Sequence, residues 1–189
     1  MATSDGGGKV IVGIAMSLDD FINDRNGGVG PLYPDMDALH ATTSLQEAIR
    51  TTGAVVMGRR AYDMAGGDYT DYEFQTPIFV LTHTPPATGP KGENDRLSVT
   101  FVTEGVESAI ARARAAAGPR KVQVIGGAST GQQVLNAGLA DELEITIVPV
   151  LLGGGLRFFE HLEPGQLALE QVGISESPTR TDLRYRIVK

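Results

Sequence analysis

The stretch Lys121-Val122-Gln123-Val124-Ile125-Gly126-Gly127-Ala128-Ser129-Thr130-Gly131 decides the fold. A short β-branched run enters paired glycines, and the residues after them predict a helix through Leu139. The same construction occurs earlier in the chain. Ala54-Val55-Val56-Met57 is a fully apolar strand that runs into Gly58-Arg59-Arg60, again a strand-to-helix turn. Strands without polar alternation point to a sheet covered on both faces, as in parallel α/β proteins.

Upstream, Lys9 to Leu18 reads as a strand, Asn26-Gly27-Gly28-Val29-Gly30-Pro31 as a glycine-rich loop, and Asp37 to Arg50 as a helix. Between the two glycine turns, Pro77 to His83 and Ser98 to Thr103 are strands, separated by a surface excursion from Pro85 to Arg96. Val106, Ala109, Ile110, Ala113 and Ala117 then recur at helical spacing between Gly105 and Gly118. The last third changes character: Glu142 to Leu152, Leu167 to Ile174 and Asp182 to Val188 are strand-like, with no helix between them. The expected architecture is α/β, a mostly parallel central sheet flanked by helices and closed by antiparallel C-terminal strands. Met1 to Gly8, small and glycine-rich, reads as a flexible lead-in, and residues 9–189 as one domain.

Composition narrows the function. The chain has 189 residues, 41% hydrophobic and 21% charged, which suits a globular protein with a substantial core. Its 23 acidic and 16 basic residues give a net charge of -7, which repels phosphate backbones and argues against nucleic acid as a partner. The absence of cysteine excludes disulfides, thiolate nucleophiles, Fe–S clusters and Cys-type zinc sites. The apolar run Val10 to Met16 is far shorter than the roughly 20 residues that span a bilayer, so the expectation is a cytoplasmic protein without a membrane partner.

Both glycine turns have what a phosphate cradle needs. Glycine lets the backbone approach an anion, a helix start offers unpaired N–H groups, and paired arginines add charge-assisted donors. Neither turn matches G-x-G-x-x-G or G-x-x-x-x-G-K-[ST], so a nucleotide site here is of another type. His40, His83 and His161 show no metal-ligand spacing, and Ser129 and Thr130 read as helix-capping residues because G-x-S-x-G is not matched.

Val56-Met57-Gly58-Arg59-Arg60 and Val124-Ile125-Gly126-Gly127, each after a strand and before a helix, resemble the two cofactor motifs of dihydrofolate reductase. Ile14-Ala15-Met16-Ser17-Leu18-Asp19, Ala140-Asp141-Glu142-Leu143 and Pro149-Val150-Leu151-Leu152-Gly153-Gly154-Gly155 more closely resemble the reductase domain of bifunctional riboflavin-biosynthesis enzymes, which shares that fold. The resemblance runs from Lys9 to Lys189.

What the resemblance implies is an NADPH-dependent oxidoreductase acting on a small molecule, as a homodimer. Ala15 would offer its backbone to the nicotinamide carboxamide. Gly58, Arg59 and Arg60 would meet the pyrophosphate and the 2'-phosphate, which Thr82 and His83 would flank. Gly126, Gly127, Ala128, Ser129 and Thr130 would hold the pyrophosphate and the nicotinamide side. Ser17, Thr146, Leu152 and Gly153 would border the substrate, with Asp19 as the catalytic carboxylate orienting substrate or water. Two departures stand out: Ala61 replaces a frequent hydroxyl residue, and Asp20 a usual glycine, with a changed loop expected there. Asp19 and Thr146 also have plain readings, as a turn cap and as a β-branched strand residue.

The named reaction is the riboflavin-type reduction of a phosphoribosylamino-uracil to its ribitylamino product. A dihydrofolate or pteridine reductase is the enzymatic alternative, disfavoured because Thr42 to Leu45 holds no acid and the chain has no tryptophan. A nucleotide-binding protein without turnover is the other.

Overall fold

The computed structural model describes residues 8–163, 165 and 167–189. The lead-in assigned to residues 1–8 lies outside the described residues except for Gly8. That residue belongs to the fold: it is buried, and its N–H donates to the Gly118 carbonyl at 3.0 Å.

Among the described residues, eight strands form one sheet. In chain order they are β1 (Val10–Ser17), β2 (Thr52–Gly58), β3 (Ile78–Leu81), β4 (Val99–Val102), β5 (Lys121–Ile125), β6 (Glu142–Val148), β7 (Ala168–Ser177) and β8 (Arg180–Val188). The spatial order is β4-β3-β2-β5-β1-β6-β8-β7. Every pairing from β4 to β6 is parallel, and β8 pairs antiparallel with β6 and β7. The helices are α1 (Met36–His40), α2 (Thr43–Thr51), α3 (Arg59–Met64), α4 (Val106–Ala117) and α5 (Ala128–Asn136).

β2 is buried at every residue, and its side chains alternate between two cores. Ala54 and Val56 join Val10, Val12, Val122 and Val124 under α4 and α5, whereas Val55 and Met57 join Ile78, Val80, Tyr62, Tyr69 and Phe74. The buried face of α4 is the stripe Val106, Ala109, Ile110, Ala113 and Ala117.

Three expectations are corrected. The helix over Asp37 to Arg50 is two helices, because Thr42 is extended (φ -69, ψ 139) and caps α2 by accepting from the Leu45 N–H at 3.3 Å. The strand from Glu142 ends at Val148, just before Pro149, which cannot donate to a ladder. The C-terminal strands are longer than expected, with β7 reaching Ser177 and β8 starting at Arg180.

Candidate active site

A cleft of about 1570 Å³ opens along the carboxyl ends of the parallel strands and continues over one face of β1, β6 and β8. Register sets its floor. Ala15 lies beside Thr146, Thr146 opposite Asp182 and Asp182 opposite Ser175. The next row runs Ile125, Gly13, Glu144, Arg184 and Gly173. All of these line the cleft.

One wall is the pair of glycine turns. Gly126 (φ 75) and Gly127 (φ 79) take the left-handed conformation that glycine adopts without strain, and a side chain on Gly126 would come within 2.8 Å of the Ala61 methyl. Thr130 Oγ1 would lie 2.6 Å from a Cβ on Gly58, so the two turns are packed together. Ala61 is therefore the small residue this close approach requires. Arg59 crosses the mouth, its Nε donating to Asp63 Oδ1 at 2.8 Å and its Nη1 to the Thr84 carbonyl at 2.6 Å.

β1 supplies an open backbone edge. Its pairing with β5 stops at Gly13 and Ile125, where β5 leaves for Gly126, while its pairing with β6 runs on to Ser17 and Val148. From Ile14 onward the β5 side of β1 has no strand beside it among the described residues. Such an opening at the carboxyl ends of parallel strands is where α/β sheets take ligands.

The structure brings all eleven expected cofactor positions, Ala15, Gly58, Arg59, Arg60, Thr82, His83 and Gly126 to Thr130, into the lining of this one cleft. Thr146 joins them, and its hydroxyl donates to Asp182 Oδ1 at 2.6 Å.

Ser17, Asp19, Leu152 and Gly153, expected at the substrate, lie outside that lining. They form a clasp between two loops. Asp19 accepts from the N–H groups of Leu152 at 3.0 Å and Gly153 at 2.7 Å, so each carboxylate oxygen is engaged with backbone. Buried Ser17 accepts from the Phe21 N–H at 3.0 Å. Arg25 Nη2 donates to the Gly153 carbonyl at 2.7 Å, and Leu156 N–H donates to Asn23 Oδ1 at 2.8 Å. Gly155 (φ 144) fits only as glycine, since a Cβ would sit 1.9 Å from the Asn23 carbonyl oxygen. The Ser17 hydroxyl, with the Leu152 and Gly153 N–H groups, lowers the Asp19 carboxyl from its ordinary 3.8 to about 2. Asp20 takes a left-handed, glycine-like conformation, with φ 68, and pairs with Arg157 at 3.2 Å.

Sequence reasoning missed Asp182, Glu144 and Arg180, all on the cleft. Burial pushes the Glu144 carboxyl up, against the pull of Lys121 and Arg184. Asp182 also lies within 3.5 Å of Ser44 Oγ on α2 and 3.3 Å of Ser175 Oγ. The cleft therefore carries an acid on β8, although Thr42 to Leu45 holds none. Only the β6–β8 register could have placed it there. No group of three or more His, Cys, Asp or Glu among the described residues is arranged to hold a metal, and no helix among them is long and apolar enough to cross a membrane.

Comparison with known proteins places this geometry. A family model described as the RibD C-terminal domain matches residues 8–183. The chain is 28% identical to a candidate riboflavin biosynthesis protein from Shewanella sp. PV-4, with a TM-score of 0.78, covering 96% of this chain and 99% of that one. It is 27% identical over 156 residues to the Bacillus subtilis protein YwjB, described as uncharacterized, covering 82% of this chain and 84% of that one. Dihydrofolate reductase from Enterococcus faecalis, complexed with NADP(H), superposes with a TM-score of 0.64 at 18% identity, covering 97% and 98% of the two chains. The sheet is the dihydrofolate reductase-like one.

Proposed function

The chain belongs to the RibD C-terminal domain family, and on that premise we propose that it is an NADPH-dependent reductase of small heterocycles, of the riboflavin-type pyrimidine reductase kind. The observation that carries the reading is the convergence of both glycine turns, Arg59, Arg60 and the open edge of β1 on one cleft. The residues fit a nicotinamide dinucleotide. The α5 start with its left-handed glycines suits a pyrophosphate, and Arg59, Arg60, Thr82 and His83 suit the adenosine 2'-phosphate. Ala15 presents its backbone to the carboxamide. The bound cofactor supplies the hydride, and the protein's task is to align, exclude water and manage one proton.

On the substrate side, Thr146 and Asp182 meet the reacting ring, and their hydrogen bond fixes the Thr146 hydroxyl as a donor to Asp182, leaving its oxygen to act as an acceptor. Asp19 acts as a positioning residue, fixing the Gly153 loop beside the site. The protein works in the cytoplasm as a homodimer.

The test is NADPH oxidation by the purified protein with a phosphoribosylamino-uracil and, separately, dihydrofolate. Turnover of the pyrimidine is expected. Turnover of dihydrofolate alone would favour the pteridine alternative, and NADPH binding without turnover of either would favour a binding protein.

A further inference from the structure

Arg180 is the least explained side chain on the cleft. It opens β8 at the tip of the β7–β8 hairpin, it is 4% exposed, and it lines the cleft beyond Asp182 on the same face of the strand. Its Nε and Nη2 are both buried and have no hydrogen-bond partner. No carboxylate among the described residues pairs with it, although the chain carries a net charge of -7. A buried guanidinium without partners is costly, and proteins rarely retain one without use.

The geometry of the open atoms specifies the partner. Nε and Nη2 are the two nitrogens on one edge of a guanidinium, and their N–H bonds are parallel. That edge matches the two oxygens of a carboxylate or phosphate. Burial and the Arg180 charge act in opposite directions on the nearby Tyr33 phenol, burial raising its pKa and Arg180 lowering it, so the two groups share one environment. Tyr33 lines the same end of the cleft.

We propose that Arg180 is a specificity-determining residue that receives an oxyanion carried on an arm of the substrate, a phosphate monoester or a carboxylate, in a bidentate pair. Both nitrogens are closed to water in the structure as it stands. Recognition therefore includes a turn of the guanidinium toward the cleft that Arg180 already lines. As a statement about substrate, the proposal rests on the reductase reading; the anion site itself is testable without cofactor.

The experiment follows the Arg180 side-chain Nε–H resonance, assigned by its loss in Arg180→Met, during titration with inorganic phosphate and separately with acetate. Thermal unfolding of the same samples is the second readout. The resonance should move saturably, Arg180→Met should weaken anion binding at least about ten-fold, and the Arg59→Gln/Arg60→Gln double variant should leave it intact. In chloride alone Arg180→Met should unfold at a higher temperature, because the orphaned charge is gone. A tighter response to phosphate assigns a phosphate arm, and a tighter response to acetate a carboxylate. An unmoved resonance, or anion binding retained in Arg180→Met and lost in the Arg59/Arg60 variant, overturns the proposal. The second of these outcomes leaves the cofactor reading standing, and loss of NADPH binding would not touch the anion site.

Discussion

Asp19 Oδ2 accepts a 2.7 Å hydrogen bond from the N–H of Gly153, joining the loop after β1 to the loop after β6. The second oxygen is held by Leu152. The bond spans 134 residues and fixes the segment beside the cleft. A carboxylate so engaged is a poor proton donor.

Asp19→Asn should therefore lower thermal stability at neutral pH and reduce turnover without moving the pH profile of kcat. The folded carboxyl lies near 2, below its ordinary 3.8, so its stabilisation is complete above 3.8 and disappears as pH falls through about 2. Acid unfolding of Asp19→Asn should lose that part of the pH dependence. A pH profile displaced by the substitution would restore a catalytic role.

Gly126→Ala tests the packing of the two glycine turns. The substitution forces φ 75 on an L-residue and drives its methyl to within 2.8 Å of Ala61. A loss of about 1–3 kcal/mol is expected, with weakened nicotinamide binding, measured by denaturant unfolding and fluorescence titration.

How far the sequence carries can be judged from particular elements. β2, β5 and the stripe of α4 are readable because their patterns are local, with β2 and the α4 stripe buried throughout and β5 buried at Val122, Gln123 and Val124. The glycine turns are readable for the same reason, as are the cleft residues attached to them. The break at Thr42 is a capping choice within a continuous helical pattern, and the pattern does not announce it. Asp182 and Arg180 enter the site through the antiparallel register of β8 on β6, a tertiary fact. Ser17, Leu152 and Gly153 resemble family positions in sequence, yet hydrogen bonding directs them into the clasp.

Asp20 gives a cheap test of loop geometry. At φ 68, Asp20→Val should cost about 1–2 kcal/mol. Asp20→Gly should stay within about 0.5 kcal/mol of the parent, since it relaxes the backbone and loses only an exposed pair with Arg157. Chemical denaturation of both variants decides.

Thr146→Val removes the 2.6 Å bond to Asp182 while keeping the shape of the side chain. The expected loss of stability is about 1.5–3 kcal/mol, as for a hydrogen bond to a charged group. In the reductase reading kcat should fall while affinity for NADPH is unchanged, which steady-state kinetics and a binding titration separate.

The most direct measurement is a titration of the purified protein with NADPH and with NADH, following nicotinamide fluorescence, alongside Arg59→Ala. NADPH should bind at least about ten-fold tighter than NADH, and Arg59→Ala should lose that preference. Failure of the protein to bind either nucleotide would contradict the reductase reading, leaving the paired glycine turns as structural packing alone.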